Sequence, residues 1–401
     1  MEPILIAVLL FVYGGMVLGG IPGFALDRTG VSVLGAVVLV GSGLVSAEAA
    51  WSSIDVPTMG VLFGLMVVSA QLRLGGFYSW VTRRVVSARV GPPGLLALVI
   101  GVSALLSAVL ANDVVCLAMT PIVVDACGGR RIDPMPHLLG LAAAANVGSA
   151  ATLIGNPQNM LLGQTLDLPF GAYMLRAAPP VLFGVLATWG IIAWRQRGRW
   201  HDNLPTPLAL SVPPLALLQT AKGLAVAIAL VAAFILTDWR RDVLAMSAGG
   251  FLLMSRRMAS RDMLALIDWH LLLLFAGLFV VNHALAESGS LAVLLGVLAS
   301  VGLDAQQPFE LFVLTAGLSN VISNVPAVML LLPAVTSETG ALVALSSTFA
   351  GNLILVGSVA NLIVAEQAAR AGVVLHWREH ARVGVPITIV TLGAAALALG
   401  L

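Results

Sequence analysis

Two stretches decide how this chain folds: Ser107-Ala108-Val109-Leu110-Ala111-Asn112-Asp113, followed by Pro121, and Ser319-Asn320-Val321-Ile322-Ser323-Asn324-Val325, followed by Pro333. Serine, asparagine and proline keep one spacing in both. Each stretch lies in an apolar block, 94–126 and 308–334, that is too long for one membrane span and too short for two spans joined by a loop. The charges at the ends of these blocks determine which face each one enters.

Only 10% of the 401 residues are charged, against about a quarter in soluble domains, while 59% are hydrophobic. Water cannot be the only solvent of such a surface. Further apolar runs near 3–20, 30–47, 54–72, 138–164, 178–195, 221–237, 242–255, 268–286, 341–368 and 383–401 predict about ten crossing helices. Met1-Glu2-Pro3 carries no basic leader, so Pro3 to Gly20 is expected to be a retained helix. Cys116 and Cys127 lie in or beside apolar segments and read as small hydrophobes rather than a disulfide or metal pair.

All the basic residues except Arg176, Arg240 and Arg241 fall into clusters, around Arg28, 73–89, Arg130-Arg131, 195–222, 256–261 and 370–382. If clusters mark the cytoplasm, both ends of 94–126 are cytoplasmic. Block 308–334 is flanked instead by Glu287, Asp304, Glu310 and Glu338, so both its ends lie outside. The two blocks then read as opposed re-entrant hairpins. Non-helical backbone at that depth requires cover by protein or a water-filled cavity, which predicts a polar site between the tips. Phe77 to Val90, with Arg on one face, suits an interfacial helix, and Ser290 to Leu303 is its more apolar counterpart.

The halves repeat. Ile54-Asp55 matches Ile267-Asp268, and Leu62-Phe63-Gly64-Leu65 resembles Phe275-Ala276-Gly277-Leu278. Gly155 and Asn159 match Gly357 and Asn361. With opposite entry faces this is an inverted repeat, whose interrupted helices mark the binding site in secondary transporters. The expected division is N-terminal scaffold helices (1–53), a first repeat (54–200) with broken helix 138–164, scaffold helices (201–266), a second repeat (267–382) with broken helix 341–368, and a C-terminal helix (383–401).

The runs Asn112-Asp113-Val-Val-Cys-Leu-Ala-Met-Thr120-Pro121 and Ala145-Asn146-Val-Gly-Ser149-Ala-Ala-Thr152-Leu-Ile-Gly155-Asn156-Pro157-Gln158-Asn159 resemble the ion transporter superfamily. That group holds arsenite/antimonite permeases, citrate-type carriers and divalent anion:sodium symporters. The resemblance implies an all-α, elevator-type transporter with scaffold and moving domains, commonly a homodimer. In the anion:sodium symporters, Ser-Asn-Thr at the tips holds sodium and carboxylates. Here Ser323-Asn324 is followed by Val325, and Asn112-Asp113 at the first tip is closer to the arsenite permease pattern.

Asn112 and Asn324 offer donors and an acceptor to a ligand, or simply cap the following helix. Ser107, Ser319 and Ser323 supply oxygens for a hard cation, or are small residues that permit close packing. Asp113, an acidic residue at membrane depth, is a candidate coupling group for H+ or Na+; the alternative is a charged N-cap. Asn146, Ser149, Thr152, Asn156, Gln158, Asn159, Thr348, Asn352, Ser358 and Asn361 cluster about the breaks at Gly148, Gly155, Gly351 and Gly357, and suit a lined cavity. Asp55 and Asp268 read as helix starts with no transport role. His270 and His283 are expected in ordinary helix or cavity-wall positions.

No Lys or Arg occurs in the hairpin and broken-helix segments, so an anion would depend on helix N-termini and neutral donors. The expected function is secondary transport of a small anion or oxyanion coupled to H+ or Na+, from a multi-pass protein of a bacterial inner membrane. Arsenite or antimonite efflux and Na+/H+ antiport are the alternatives. Expected partners are the solute, the coupling cation and membrane lipid, with no nucleic acid and no cofactor. An enzyme is disfavoured, since HExxH, GxSxG and P-loop patterns are absent.

Overall fold

The computed structural model describes residues 3–200 and 215–401, so Met1-Glu2 and the opening of the 201–266 stretch lie outside the described residues. The described chain is helical apart from a two-residue ribbon pairing Gly20–Ile21 with Leu26–Asp27. Among the described residues, seven helices are long and apolar enough to cross a membrane. Five of them match expected spans, so length supports five of the ten. The other two, Pro92–Val109 and Asn112–Arg130, are the arms of block 94–126, which thus holds two helices of spanning length where too little chain for two was expected. Pro3–Leu18, Arg28–Gly41 and Arg241–Leu253 are apolar but have only 16, 14 and 13 residues. At 1.5 Å per residue, the last two reach roughly 20 Å, short of a ~30 Å core.

Both ambiguous blocks are helical hairpins. The first pairs Pro92–Val109 with Asn112–Arg130, and the second pairs Pro308–Ile322 with Asn324–Leu331. At the base of the first, the Arg130 guanidinium donates to the carbonyls of Val86, Ala88 and Val90, tying the hairpin to the short helix Phe77–Val86. Its counterpart Ser290–Ser300 buries only Ser290 and Leu291 and exposes Val293, Leu294 and Val297, as its apolar sequence implied.

Both long apolar segments after the hairpins are interrupted. Met135–Ser149 breaks and resumes at Pro157–Thr165, with Asn156 as N-cap accepting from Asn159 N at 2.9 Å. Proline suits the first helical position because its missing N–H would have no helical partner there. Gly340–Ala350 unwinds and resumes at Val359–Arg370.

The halves exchange partners. Helix Val56–Leu74 packs on Arg241–Leu253, and Trp269–Glu287 packs on Arg28–Gly41. The approach is closest at the two glycines matched in the sequence. A Cβ on Gly64 would stand 2.2 Å from the carbonyl oxygen of Ala245, and one on Gly277 would stand 2.8 Å from that of Ser32. Val56–Leu74 and Trp269–Glu287, grouped with the repeats in the sequence reading, pack both on these short helices and on elements of their own repeats, Pro157–Thr165 and Asn324–Leu331. Phe170–Arg195 and Trp377–Leu399 pack on each other and on the broken helices.

Candidate functional site

The two hairpin tips meet at one cavity of about 180 Å³. Asn112 and Asp113 line it from the first tip, Ser323, Asn324 and Val325 from the second, and Asn156, Gln158 and Ser358 from the breaks. The first tip is held by Asn112 N–H, which donates to the Gly155 carbonyl at 3.3 Å. Gly155 is confined: a Cβ there would lie 2.2 Å from Ser149 O and 2.7 Å from Ser107 O. In the second half the same position of a Cβ on Gly357 lies 3.0 Å from Asn320 Oδ1. Each tip is therefore fitted against the break of its own half.

The tips differ in chemistry. Asn112 Oδ1 accepts from the adjacent Asp113 N–H at 3.0 Å. Neither Asn112 nor Asn324 is an N-cap; those positions belong to Ala111 and Ser323, without side-chain capping bonds. Asn324 Oδ1 is buried with no hydrogen-bond partner among the described residues, and so are Asn320 Oδ1, Ser319 Oγ and Ser107 Oγ. Buried polar atoms are nearly always paired, and of these four residues only Asn324 lines the cavity; five further side-chain atoms away from the tips are unpaired too among the described residues. Ser323 has φ +75° and ψ 160°, a conformation essentially restricted to glycine. Strain of this kind concentrates at ligand clamps. The Asp113 carboxylate has neither a hydrogen bond nor an ion pair among the described residues; it stands in the first turn of Asn112–Arg130, where the helix dipole favours a negative charge, but makes no capping bond.

Most of the polar residues at the breaks face one another. Asn146 Nδ2 donates to Asn352 Oδ1 at 2.8 Å and to Asn361 Oδ1 at 3.1 Å, while Ser358 Oγ donates back to Asn146 Oδ1 at 2.8 Å. Asn156 Nδ2 reaches Ser149 Oγ at 2.9 Å and Thr348 Oγ1 at 3.2 Å; Gln158 Nε2 reaches the same Thr348 oxygen at 3.3 Å. Asn159 Nδ2 donates to Thr152 O and Tyr173 OH, both at 3.0 Å, and Thr152 Oγ1 donates to Ala108 O. The matched Asn361 Nδ2 donates to Gly351 O at 2.8 Å. The structure thus separates the residues expected to line one cavity. Asn156, Gln158 and Ser358 line it, whereas Asn146, Ser149, Asn159, Thr348, Asn352 and Asn361 form a buried clasp between the broken helices and Thr152 ties the first break to its own hairpin.

Sequence reading missed two groups at the site, Arg28 and Asp268. Arg28, read only as a topology marker, lines the cavity and supplies a cation where none was expected; its Nε donates to Met16 O at 3.2 Å. Asp268 lines the same cavity, and with Arg73 and Asp113 it also borders an adjoining pocket of about 60 Å³. Its capping bond to Leu271 N, at 3.0 Å, is as expected, but its position at the cavity was not. His270 is a cavity-wall residue, while His283 lies elsewhere, 3.8 Å from Glu287. The repeat pairs these residues across the halves without placing them at the cavity: the same number of residues separates Arg28 from Arg241, Asp55 from Asp268, and Gly64 from Gly277, yet Arg241 and Asp55 do not line it.

Apolar spanning helices, crossed broken helices and a polar cavity between two hairpin tips are the features of a multi-pass membrane transporter. The chain belongs to the citrate transporter family, whose model matches residues 8–341. It is 28% identical to an uncharacterized transporter of Mycobacterium tuberculosis, Rv2685, over 99% of this chain and 98% of that protein. It is 27% identical to the silicon efflux transporter LSI3 of Oryza sativa, over 92% of each, and 30% identical to the inner membrane protein YbiR of Escherichia coli, over 86% of this chain and 89% of YbiR. In fold it is similar to the YdaH transporter of Alcanivorax borkumensis, with a TM-score of 0.56 at 16% identity over 99% of this chain and 96% of that one. It is an integral membrane transporter and not an enzyme, and a bacterial inner membrane suits it.

Proposed function

We propose that this chain is a secondary active transporter of a small oxygen-rich solute, a compact oxyanion or its neutral oxyacid, driven by protons taken up at Asp113. The observation that carries this reading is the unpartnered Asp113 carboxylate in the same small cavity as the orphaned Asn324 Oδ1. A cavity of about 180 Å³ is below the roughly 300–1,000 Å³ of sites for drug-sized ligands. With Asp113 ionised, Arg28 faces two carboxylates there, which opposes an anion; with Asp113 protonated, Arg28 and Asp268 balance. A neutral hydroxide of the arsenious or silicic type needs no counter-charge and fits best when Asp113 is protonated and its O–H can donate to the solute, which links solute binding to proton uptake. The naming of one relative as a silicon efflux transporter supports that choice.

Alternating access follows the elevator scheme in this reading. The hairpins, broken helices, Phe170–Arg195 and Trp377–Leu399 move against a scaffold that includes Val56–Leu74 and Trp269–Glu287. The hairpins re-enter from opposite faces, and the state described is open to the cytoplasm, because Arg28 and Asp268 belong to cytoplasmic helix ends under the positive-inside assignment.

Na+ coupling is the second reading. Ser319 Oγ, Asn320 Oδ1 and Asn324 Oδ1 are neutral hard oxygens, buried and unpartnered among the described residues on one hairpin. Both readings are tested in proteoliposomes with an imposed ΔpH or Na+ gradient and labelled arsenite, silicic acid, phosphate, sulfate, succinate and citrate. Accumulation of an oxyacid under ΔpH alone is the expected result. Movement of none of them, with Na+-driven proton flux, would overturn the proposal in favour of antiport.

A further inference from the structure

Arg241 stands at the start of helix Arg241–Leu253, where its guanidinium closes on the far end of the first broken helix. Nη1 donates to Gly163 O at 2.8 Å, Nη2 donates to Leu168 O at 2.5 Å, and Asp167 lies 3.8 Å away. The last carbonyls of a helix lack intrahelical donors and carry partial negative charge, so an arginine there is both a cap and a charge partner. Beside it, Asp55 Oδ2 accepts from Thr165 Oγ1 at 3.3 Å. An arginine and an aspartate from the static helices thus grip the end of a broken helix.

Their equivalents in the other half are Arg28 and Asp268, placed at the same sequence interval. These grip nothing on the second broken helix. Arg28 makes its one hydrogen bond to Met16 O, and Asp268 bonds only the N–H of Leu271 at the start of its own helix, among the described residues. Both border the open cavity instead. The two halves have the same parts in different states: one pair is closed on its broken helix and the other is free.

We infer that Arg241 with Asp55, and Arg28 with Asp268, form a two-ended latch that closes alternately on the two broken helices. In the opposite state Arg28 reaches the free carbonyls in the last turn of Val359–Arg370, a helix three residues longer than its match Pro157–Thr165, and Asp268 takes Gln367, which corresponds to Thr165. Each end releases as the other closes, so an intermediate with both ends open loses the bonds of both. The inference rests on the alternating-access reading and is independent of the transported solute.

The test uses two cysteine pairs in the full-length protein in vesicles, with Cys116→Ala and Cys127→Ala as background. Asp55→Cys with Thr165→Cys reports one end, and Asp268→Cys with Gln367→Cys reports the other; copper phenanthroline is the cross-linker. Arg241→Ala is expected to lower the first cross-link and raise the second, shifting their ratio roughly tenfold. Arg28→Ala is expected to shift it the other way. A misfolded variant would not raise a cross-link, so the reciprocal gain separates release from damage. Two cross-links that both form but ignore the arginines would leave alternation standing and overturn the latch. An Asp268→Cys/Gln367→Cys pair that never cross-links would overturn both.

Discussion

Asn146 Nδ2, on the first broken helix, donates to Asn352 Oδ1 on the second at 2.8 Å, and both side chains are buried. Ser358 and Asn361 complete the ring, so the crossing of the two helices is held by side chains that are satisfied without a ligand. Asn146→Ala leaves Asn352 Oδ1, Asn361 Oδ1 and the Ser358 hydroxyl each short of a partner, at about 1–3 kcal/mol for each buried group. Thermal melting in detergent should therefore fall clearly for Asn146→Ala. It should change little for Asn112→Ala, whose Oδ1 bonds only the next residue's N–H. Equal melting temperatures for both variants would mean that Asn146 is not structural.

Ser323→Gly separates strain from ligand binding. Glycine accepts φ +75° freely, so the variant should melt at the same temperature or higher, by about 1 kcal/mol. Transport should nonetheless drop, because a tip oxygen is lost. A stabilised variant with full transport would remove Ser323 from the site.

The glycine contacts between halves are expected to be intolerant of a methyl group. Gly64→Ala and Gly277→Ala drive a Cβ into backbone of the facing helix and should cost about 1–3 kcal/mol each. Gly296→Ala, with nothing within 4 Å, should have a small effect. The comparison is read by melting and by the yield of folded protein.

Asp113→Asn keeps the shape of the tip and removes its titration. Gradient-driven accumulation should be lost while solute-for-solute exchange persists. Accumulation at the original level would show that the coupling group lies elsewhere, with the orphaned oxygens of the second hairpin next in line.

Topology is checked with exposed positions at the hairpin bases. Gln306→Cys should react with an impermeant maleimide only from outside, and Arg131→Cys only from the cytoplasm. Ala305 is unsuitable because it is buried. Labelling of Gln306→Cys from the cytoplasm would overturn the opposed entry of the two hairpins.

The hairpins, the breaks and the matched asparagines were legible in the sequence because they depend on local signals: apolar block length, Pro157 after Asn156, and repeated spacing. What was not legible is how side chains divide between the cavity and the clasp. Asn146 and Asn156 lie on the same apolar segment with similar neighbours, yet only Asn156 lines the cavity, since which face opens depends on where the other half packs. Arg28 and Asp268 were missed for a related reason. Each stands at a helix start, where a charge is ordinary, and only the fold of separate elements around one cavity gives them a shared space. Only five of the ten expected spans are long helices, because 138–164 and 341–368 are broken and Pro3–Leu18, Arg28–Gly41 and Arg241–Leu253 are short.

The exchange of Gly64 and Gly277 between halves has a consequence for biogenesis. The surface of Val56–Leu74 that meets Ala245 has no match within its own half, and Arg28–Gly41 likewise awaits Gly277. During synthesis the first half therefore enters the bilayer before its packing partners have left the ribosome. Its small-residue faces must stay shielded by lipid or by the insertion machinery until residues 241–287 arrive. A chain truncated after the first half would be inserted but unassembled, a substrate for membrane quality control rather than half a transporter.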